Sequence, residues 1–381
     1  MHGLIIGGGI GGLTAALALR QIGLKVTVLE RAPEFREVGA GLTLWTNGMH
    51  VLHRLGLGDQ ARAVASPLRA SQMITWDSRP ILEMPLEPLQ LSPQSPTVGI
   101  HRAELQRVLV SAVRDNLRLG RACIAIRQDQ HHVTVRCSDG EEVNGDFLIG
   151  ADGLGSVVRS ELFGTKKPRY SGATAWRGVA RLDHPLIEQD VAILALGRGS
   201  QVGWLPVGGR WTYWFATFRR PEGILESRSY LKQRVLRRFC SWAAPIPELI
   251  DATPDDAIVA TDLYDRPPQW PWGEGRISLL GDAAHPMTPN LGQGACQAIE
   301  DAYVLAECLR DIGDPVQALR CYEQQRYTRT AKLVRQSWRL GRIFHLENRL
   351  GCRLRNQLFR WNHRRIAQQT RAMIQFDVTQ R

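Results

Sequence analysis

The chain lacks the cysteine spacings that mark a metal site or a disulfide framework. Its seven cysteines, at 123, 137, 240, 296, 308, 321 and 352, form no C-x-x-C and no cluster with histidine. That excludes the common zinc-site spacings and a dithiol redox motif, and reads as buried thiols in a reducing compartment. No run of about 18 apolar residues occurs, so no conventional membrane-spanning helix is expected. Strand-like residues begin at Gly3, which leaves no room for a leader peptide, and a cytoplasmic location is expected. Acid is scarce at one end only. From Arg320 to Arg381 there are 15 Lys/Arg and 3 Asp/Glu, a balance of +12. The whole chain carries +11, so residues 1–319 sum to −1. The basicity is local, and it argues against a nucleic-acid-binding protein as a whole.

What is present begins with "HGLIIGGGIGGLTAALALRQIGLKVTVLE". Gly7-x-Gly9-x-x-Gly12 follows the apolar strand Leu4 to Ile6 and opens an Ala/Leu-rich helix from about Gly11 to Ile22. A second strand, Lys25 to Leu29, ends in Glu30. This context predicts a dinucleotide-binding βαβ unit. Gly7 permits the tight turn out of the strand. Gly9 lets backbone N–H groups approach a pyrophosphate, and Gly12 lets the helix pack closely on the sheet. The helix dipole favours the anion. A carboxylate at Glu30 accepts from ribose hydroxyls and repels a 2′-phosphate, so the resident ligand is NAD or FAD rather than NADP.

Two further strand ends narrow the choice. "FLIGADGLGSVVR" (147–159) ends a strand in Asp152-Gly153, and "RISLLGDAAH" (276–285) ends another in Gly281-Asp282. Three strand ends finishing in glycine and an acid suggest one long cofactor lying along a sheet edge. With "GIHRAELQRVL" and "GDAAHPMTPNLGQGACQAIEDA", these segments, in this order, resemble the single-component FAD-dependent aromatic monooxygenases over nearly the whole chain. That family includes salicylate, urate and alkylquinolone hydroxylases.

The resemblance implies an α/β fold: a Rossmann-like FAD-binding domain of the glutathione-reductase type, similar to hydroxybenzoate hydroxylase. It implies residues 1–70, 97–168 and 266–314 for that domain, an inserted β-sheet substrate domain at 71–96 and 169–265, and a helical region at 315–381. It assigns Glu30 to the adenosine ribose and Arg102 to the phosphates or ribityl chain. Asp152 would support FAD and passing NAD(P)H, and Asp282 would bind the ribityl hydroxyls. Pro289 would line the reactive edge of the flavin, with Gly292, Gln293, Gly294 and Ala295 presenting backbone N–H groups to the ring. Ile10, Gly11, Arg31 and Thr43 complete the cofactor set. The plain alternatives are an Arg102–Glu104 ion pair, a helix cap at Asp152, a turn cap at Asp282 and a structural His285.

Between about Tyr170 and Asp265 the pattern turns to strands, and Trp176, Trp204, Trp211, Tyr213 and Trp214 fall among them. Such rings suit a flat substrate, and equally they fill a sheet core. By resemblance, Arg177, Gln201 and Tyr213 are pocket positions. Urate-type enzymes carry an arginine near the place of Gln201, so its absence argues for a neutral, more apolar substrate. In the tail, Pro315 suits the first turn of a helix. Leu333, Trp338, Ile343, Leu346, Leu350, Leu354 and Leu358 are expected to bury against the flavin domain or the substrate mouth. The arginines would face out, with a peripheral contact to an anionic membrane as the sharper reading.

The implied activity is hydroxylation of a small aromatic molecule with O2, through a flavin hydroperoxide. The chain has one dinucleotide-binding unit, so NADH or NADPH would dock transiently. No nucleophile–base pair stands out; catalysis would be borne by the flavin and supported electrostatically. The competing readings are an epoxidase, or a reductase of a prenyl or lipid double bond, on the same fold. A non-catalytic flavin-binding protein is a further alternative. No metal is implied.

Overall fold

The computed structural model describes residues 1–35, 40–224 and 230–378. The chain opens as β1 (His2–Ile6), α1 (Ile10–Gln21) and β2 (Lys25–Leu29), the expected βαβ unit. It continues through β3 (Gly41–Leu44), α2 (Thr46–Arg54), α3 (Gly58–Ala63) and β4 (Ala65–Pro67) to a hairpin, β5 (Ala70–Thr75) and β6 (Pro80–Pro85). Next come β7 (Val98–His101), α4 (Arg102–Val113) and β8 (Leu117–Arg118). A small antiparallel sheet, β9 (Cys123–Gln128), β10 (Val133–Cys137) and β11 (Glu142–Gly145), leads into β12 (Phe147–Gly150) and α5 (Val157–Phe163). Long strands follow: β13 (Arg169–Ala180), β14 (Val191–Leu196), β15 (Ser200–Pro206) and β16 (Thr212–Arg219). After α6 (Leu231–Phe239), α7 (Ile246–Asp251), β17 (Val259–Asp265) and β18 (Ile277–Leu279), the chain is helical: α8 (Gly294–Ile312), α9 (Pro315–Phe344), α10 (Arg349–Trp361) and α11 (His363–Ile374).

A parallel sheet runs in the order β18-β12-β1-β2-β8. β12 and β18 are buried along their whole length, and β1 and β2 in all but their first residue. Near-continuous apolar runs are what a sheet covered on both faces requires. Parallel pairing aligns the carboxyl ends of β1, β2, β12 and β18 along one edge. Gly7, Glu30, Asp152 and Asp282 all emerge there, where open α/β sheets bind their ligands.

A seven-stranded sheet runs β17-β13-β16-β15-β14-β5-β6, and its two faces differ. Trp176, Trp204, Trp214 and Phe218 point one way, into a core shared with Val235 and Phe239 of α6 and with Leu249 and Ile250 of α7. The register places Gln201 opposite Thr217, Leu205 opposite Tyr213, and Val179 opposite Tyr213. Side chains alternate along a strand, so Arg177, Gln201 and Tyr213 share the other face. Of the two roles open to the tryptophans, Trp176, Trp204 and Trp214 fill the core. Trp211 is exposed under the Arg181 guanidinium, 4.4 Å from its ring centre.

α9 ties the two sheets together. Asp314 caps it by accepting from the Gln317 N–H (2.8 Å), and Pro315 takes the first turn. Near its start, Tyr322 donates to the Leu279 carbonyl of β18 (3.1 Å). Near its end, Ser337 reaches Thr288, and His345 beyond it meets Thr217 of β16 (2.8 Å). The expected burial of the tail leucines needs correction. Leu333 is buried and Trp338 half-buried beneath the Arg169 guanidinium, but Ile343, Leu350, Leu354 and Leu358 face solvent. The reason is that α10 docks through its opposite side, with Cys352, Arg355 and Phe359.

Candidate active site

The Gly-rich turn is built for a close approach from outside. Gly7 has φ +106°, and a Cβ on Gly12 would lie 2.0 Å from the Gly7 carbonyl oxygen. A Cβ on Gly9 would meet no protein atom within 4 Å, so whatever requires glycine there is not the protein. Ile10 is buried and Gly11 packs against Leu280 and Ala298. Glu30 accepts from the Gly8 N–H at 2.6 Å and from the Ala32 N–H at 2.8 Å. Its carboxylate therefore braces the turn from the end of β2. Gln106 of α4 donates to the Gly8 carbonyl (3.0 Å), a support with no sequence signal of its own. Arg31 is exposed.

Asp152 accepts from the Val157 N–H at 2.7 Å, so one oxygen caps the start of α5. Burial pushes its pKa up, opposed by the Ser156 hydroxyl and the backbone donors. Arg102 opens α4 and is exposed. Glu104 pairs with Arg107 instead, which leaves Arg102 to act on Asp282. Asp282 is exposed to solvent, yet protein surrounds its carboxylate closely enough for burial to raise its pKa; His285 and Arg102 oppose the rise. Among the described residues no hydrogen bond engages it. A Cβ on Gly294 would lie 3.9 Å from Asp282 Oδ1, so the end of β18 and the start of α8 meet here.

The loop from Gly281 to Gln293 carries the rest. Pro289–Leu291 forms a single turn closed by the Gly292 N–H on the Pro289 carbonyl (3.0 Å). Gly292 has φ +61°, a left-handed conformation that favours glycine, and a Cβ there would sit 3.1 Å from Trp45 Nε1. Thr43 and Trp45 thus close on the loop from the β3 side. Gln293 is buried and accepts from Asn47 (3.1 Å) and Gln297 (2.9 Å). α8 has no side-chain cap, so the N–H groups of Gly294 and Ala295 stand at an open, positive helix end.

Charged residues that the motifs did not mark hold this loop in place. Asp301, fully buried, accepts from the Gly281 N–H (3.1 Å), from Arg326 Nε (2.7 Å), and meets His285 Nε2 at 2.6 Å. Burial alone would raise its pKa, but His285 and Arg326 outweigh burial and bring it down to about 2. Glu300 accepts from Arg326 (2.7 Å) and Arg329 (2.8 Å), which hold its pKa low against burial. His285 is thereby structural. Arg159 donates to the Ala283 carbonyl (2.9 Å) and to Gln269 (2.7 Å), fastening the Asp152 segment to the Asp282 loop. Burial, and then Arg266, lower its pKa to about 10. Asp301 lies inside the quoted motif, but its partner Arg326 is hidden in the basic tail.

On the sheet above, Tyr213 packs where a Cβ on Gly41 would fall, 2.6 Å from its own Cβ, and Phe215 lies 6.0 Å from it between ring centres. Gln201 is buried, donates to Thr217 (2.9 Å), and reaches Asn290 at 3.4 Å, next to Pro289. Arg177 leans the other way and donates to Thr261 of β17 (2.6 Å). Trp45, which lay outside the expected substrate region, joins Tyr213 and Phe215 in one hydrophobic cluster.

A strand-edge row of an acid, glycines and an uncapped helix is what a long anionic dinucleotide needs. The open space at Gly9 and Gly294 and the unengaged Asp282 carboxylate fit FAD. The family model described as FAD binding domain matches residues 1–337, and the chain belongs to that family. It is an FAD-dependent monooxygenase. It is similar to the aurachin C monooxygenase/isomerase of Stigmatella aurantiaca, 42% identical over 375 residues, which covers 98% of this chain and 97% of that protein. The FAD-dependent urate hydroxylase of Klebsiella pneumoniae is 36% identical over 350 residues, 91% of each chain. The solved structure of Klebsiella pneumoniae HpxO with FAD and uric acid superposes with a TM-score of 0.93 at 34% identity, covering 98% of this chain and 96% of that one. A salicylate hydroxylase substrate complex, at 22% identity and TM-score 0.81, shares the fold.

Proposed function

We propose that this enzyme hydroxylates a flat, neutral and fairly apolar aromatic molecule, held between the Tyr213 face of the large sheet and the Pro289–Gly292 turn. The observation that carries the reading is the character of that face. Tyr213, Phe215, Leu205 and Val207 line it, and Gln201 is uncharged and tied to Thr217. The nearby cation, Arg177, is drawn towards Thr261 on the far strand. Arg177 acts on Tyr213 through space but gives its hydrogen bond to Thr261, and among the described residues no cation bonds to Gln201 or Asn290 beside Pro289; a neutral ring would find apolar walls there.

When bound, FAD supplies the oxygen-activating chemistry, using electrons from NADH or NADPH. The chain positions and polarises. Asp282 and Glu30 would accept from the cofactor's hydroxyls, Gly9 would admit its pyrophosphate to backbone N–H groups, and Arg102 would add positive charge. The N–H groups of Gly294 and Ala295, with the α8 dipole behind them, would stabilise negative charge developing on the ring. The Asp301–His285–Arg326 network fixes the loop so that these donors need no reorganisation. Trp45, Tyr213 and Phe215 would exclude water from the reacting face.

The test is NAD(P)H consumption with paired aromatics, each neutral compound beside its carboxylate analogue, and product mass read for one added oxygen. Neutral rings should accelerate consumption and gain one oxygen. Stimulation confined to the carboxylates would sink the neutral-substrate reading, and addition across an isolated double bond would replace hydroxylation by epoxidation. We also infer that the enzyme meets its apolar substrate at a membrane surface, a reading supported by the basic C-terminal helices. Among the described residues no helix is long and apolar enough to cross a membrane, so the contact would be peripheral.

A further inference from the structure

We propose that the outward face of α10 is a docking surface for an anionic lipid bilayer. The proposal names the surface for the membrane contact inferred above and rests on that contact, but not on the identity of the aromatic substrate. Leu350, Leu354, Leu358 and Trp361 recur at spacings that place them on one side of the helix. All four are open to solvent, at 72%, 58%, 43% and 69% exposure. The helix is nevertheless firmly held from behind. Arg355 is buried and donates to the Phe344 carbonyl (2.9 Å) and to the Gly197 carbonyl (3.2 Å), and the Phe359 ring packs 6.2 Å from Phe344. A well-anchored helix that turns four large apolar side chains to water marks an interaction surface.

Charge identifies the occupant. Between Arg349 and Ile374 there are seven arginines and no acid. Arg349, Arg353, Arg364 and Arg365 are exposed, and none has an acidic partner among the described residues. Packing α10 against a second copy of itself would cover the leucines but set arginines against arginines. A free polyanion would satisfy the arginines and leave the leucines in water. An anionic bilayer satisfies both, with the apolar stripe at the acyl boundary and the guanidinium groups among the headgroups. α11, which follows α10, carries the chain on to the wall of the proposed pocket: Ile374 and Met373, at its end, pack in the same cluster as Tyr213 and Val207.

The test floats the full-length, FAD-loaded protein with vesicles of phosphatidylcholine alone and of phosphatidylcholine with phosphatidylglycerol. Binding is expected only with the anionic vesicles and should weaken with salt. Leu354→Ser combined with Trp361→Ser should reduce it about tenfold or more, and Arg353→Gln or Arg364→Gln about fivefold each. These side chains are exposed, so flavin content and turnover of a water-soluble aromatic should match the parent; that control separates lost docking from lost folding. Absence of flotation with anionic vesicles overturns the proposal. So does flotation that survives the Leu354/Trp361 change, which would mean a polyanion site only. Concentration-dependent dimerisation abolished by the same change would make a second copy the occupant instead. Vesicle binding that persists while no aromatic is hydroxylated would sink the substrate reading and leave this one standing.

Discussion

Gly9→Ala and Gly12→Ala, made singly, should fail in opposite ways. At Gly12 the new Cβ would fall 2.0 Å from the Gly7 carbonyl oxygen and 3.3 Å from the Ala151 side chain. Ordinary contact begins near 3.4 Å, so α1 must move by more than an ångström against a covered sheet. Overpacking of that kind costs about 1–3 kcal/mol, and here the obstacle is backbone that cannot swing aside. At Gly9 the backbone is extended, φ −75°, and a Cβ meets no protein atom. The FAD-free protein should therefore keep its stability, or gain about 0.4–1 kcal/mol because alanine restricts the unfolded chain. The FAD complex pays instead: the methyl group stands between the pyrophosphate and its backbone donors. Losing one or two charge-assisted hydrogen bonds, about 1.5–3 kcal/mol each, weakens FAD binding by at least tenfold.

The assay is thermal unfolding of the flavin-free proteins, followed by titration with FAD and detection by flavin fluorescence. Gly12→Ala should melt early with or without cofactor. Gly9→Ala should melt like the parent when flavin-free and gain little on adding FAD. If flavin-free Gly9→Ala is destabilised as much as Gly12→Ala, or binds FAD as tightly as the parent, the assignment of the open space at Gly9 to a ligand is wrong.

Asp282→Asn should weaken FAD binding by about ten- to a hundredfold in a fluorescence titration, the loss of a charged acceptor. Because burial raises the folded-state pKa of Asp282, ionising it costs folded stability as pH rises above the unfolded carboxyl range; flavin-free Asp282→Asn, which removes that cost, should therefore be no less stable than the parent at neutral pH. Asp301 shows the opposite sign. Its folded pKa of about 2 lies below the unfolded value near 3.9, so its contribution is present above about pH 4 and is lost as pH falls towards 2. Acid unfolding curves of the parent should lose about 2–3 kcal/mol over that window, whereas Asp301→Asn should start lower and change less. Trp214→Phe should cost about 1–3 kcal/mol of stability by leaving Thr253 without its 2.8 Å donor, with KM unchanged. Trp45→Phe should move KM or the flavin spectrum and leave the melting temperature within a few degrees; the reverse pattern would place the aromatic wall on the wrong side of the sheet.

The strand ends were legible in the sequence because their requirements are local. A tight turn, a close approach and a terminal acid each leave a fixed residue type at a fixed offset, so Gly7, Gly9, Gly12, Glu30, Asp152 and Asp282 could be named before any fold was known. Parallel pairing then had to bring them to one edge. The substrate side was less legible for an equally physical reason. Period two says that Trp176 and Trp214 share the opposite face from Tyr213 only once the strands are registered, and nothing in the sequence says which face meets the helices. Trp45 lies on the far side of the chain from the tryptophan-rich strands, and only the close passage of β3 past Gly292 makes it a neighbour of Tyr213. The tail reversed an expectation in the same way. α10 has two candidate contact faces, one of leucines and one of Cys352, Arg355 and Phe359, and it buries the second because two backbone carbonyls are there to receive Arg355.

On the proposed reading, the loop from Gly281 to Ala295 works through backbone donors rather than through acid–base or nucleophilic side chains, and it rests on a buried cluster of charged residues. These two features belong together. Backbone donors stabilise charge only if they are already in place, since a loop that must order itself loses the advantage of preorganisation. Glycines at 292 and 294 let the backbone come close, but they also make it flexible. Asp301, gripping Gly281 from below while Arg326 and His285 hold it in turn, supplies the rigidity that the glycines remove. The buried ion pairs are costly to assemble and add little net stability by themselves. Their value, on the proposed reading, lies in fixing the geometry of the α8 N-terminus against which the ring would sit. Loosening the cluster should therefore lower the fraction of reducing equivalents that end in product, with more appearing as hydrogen peroxide, before it unfolds the protein.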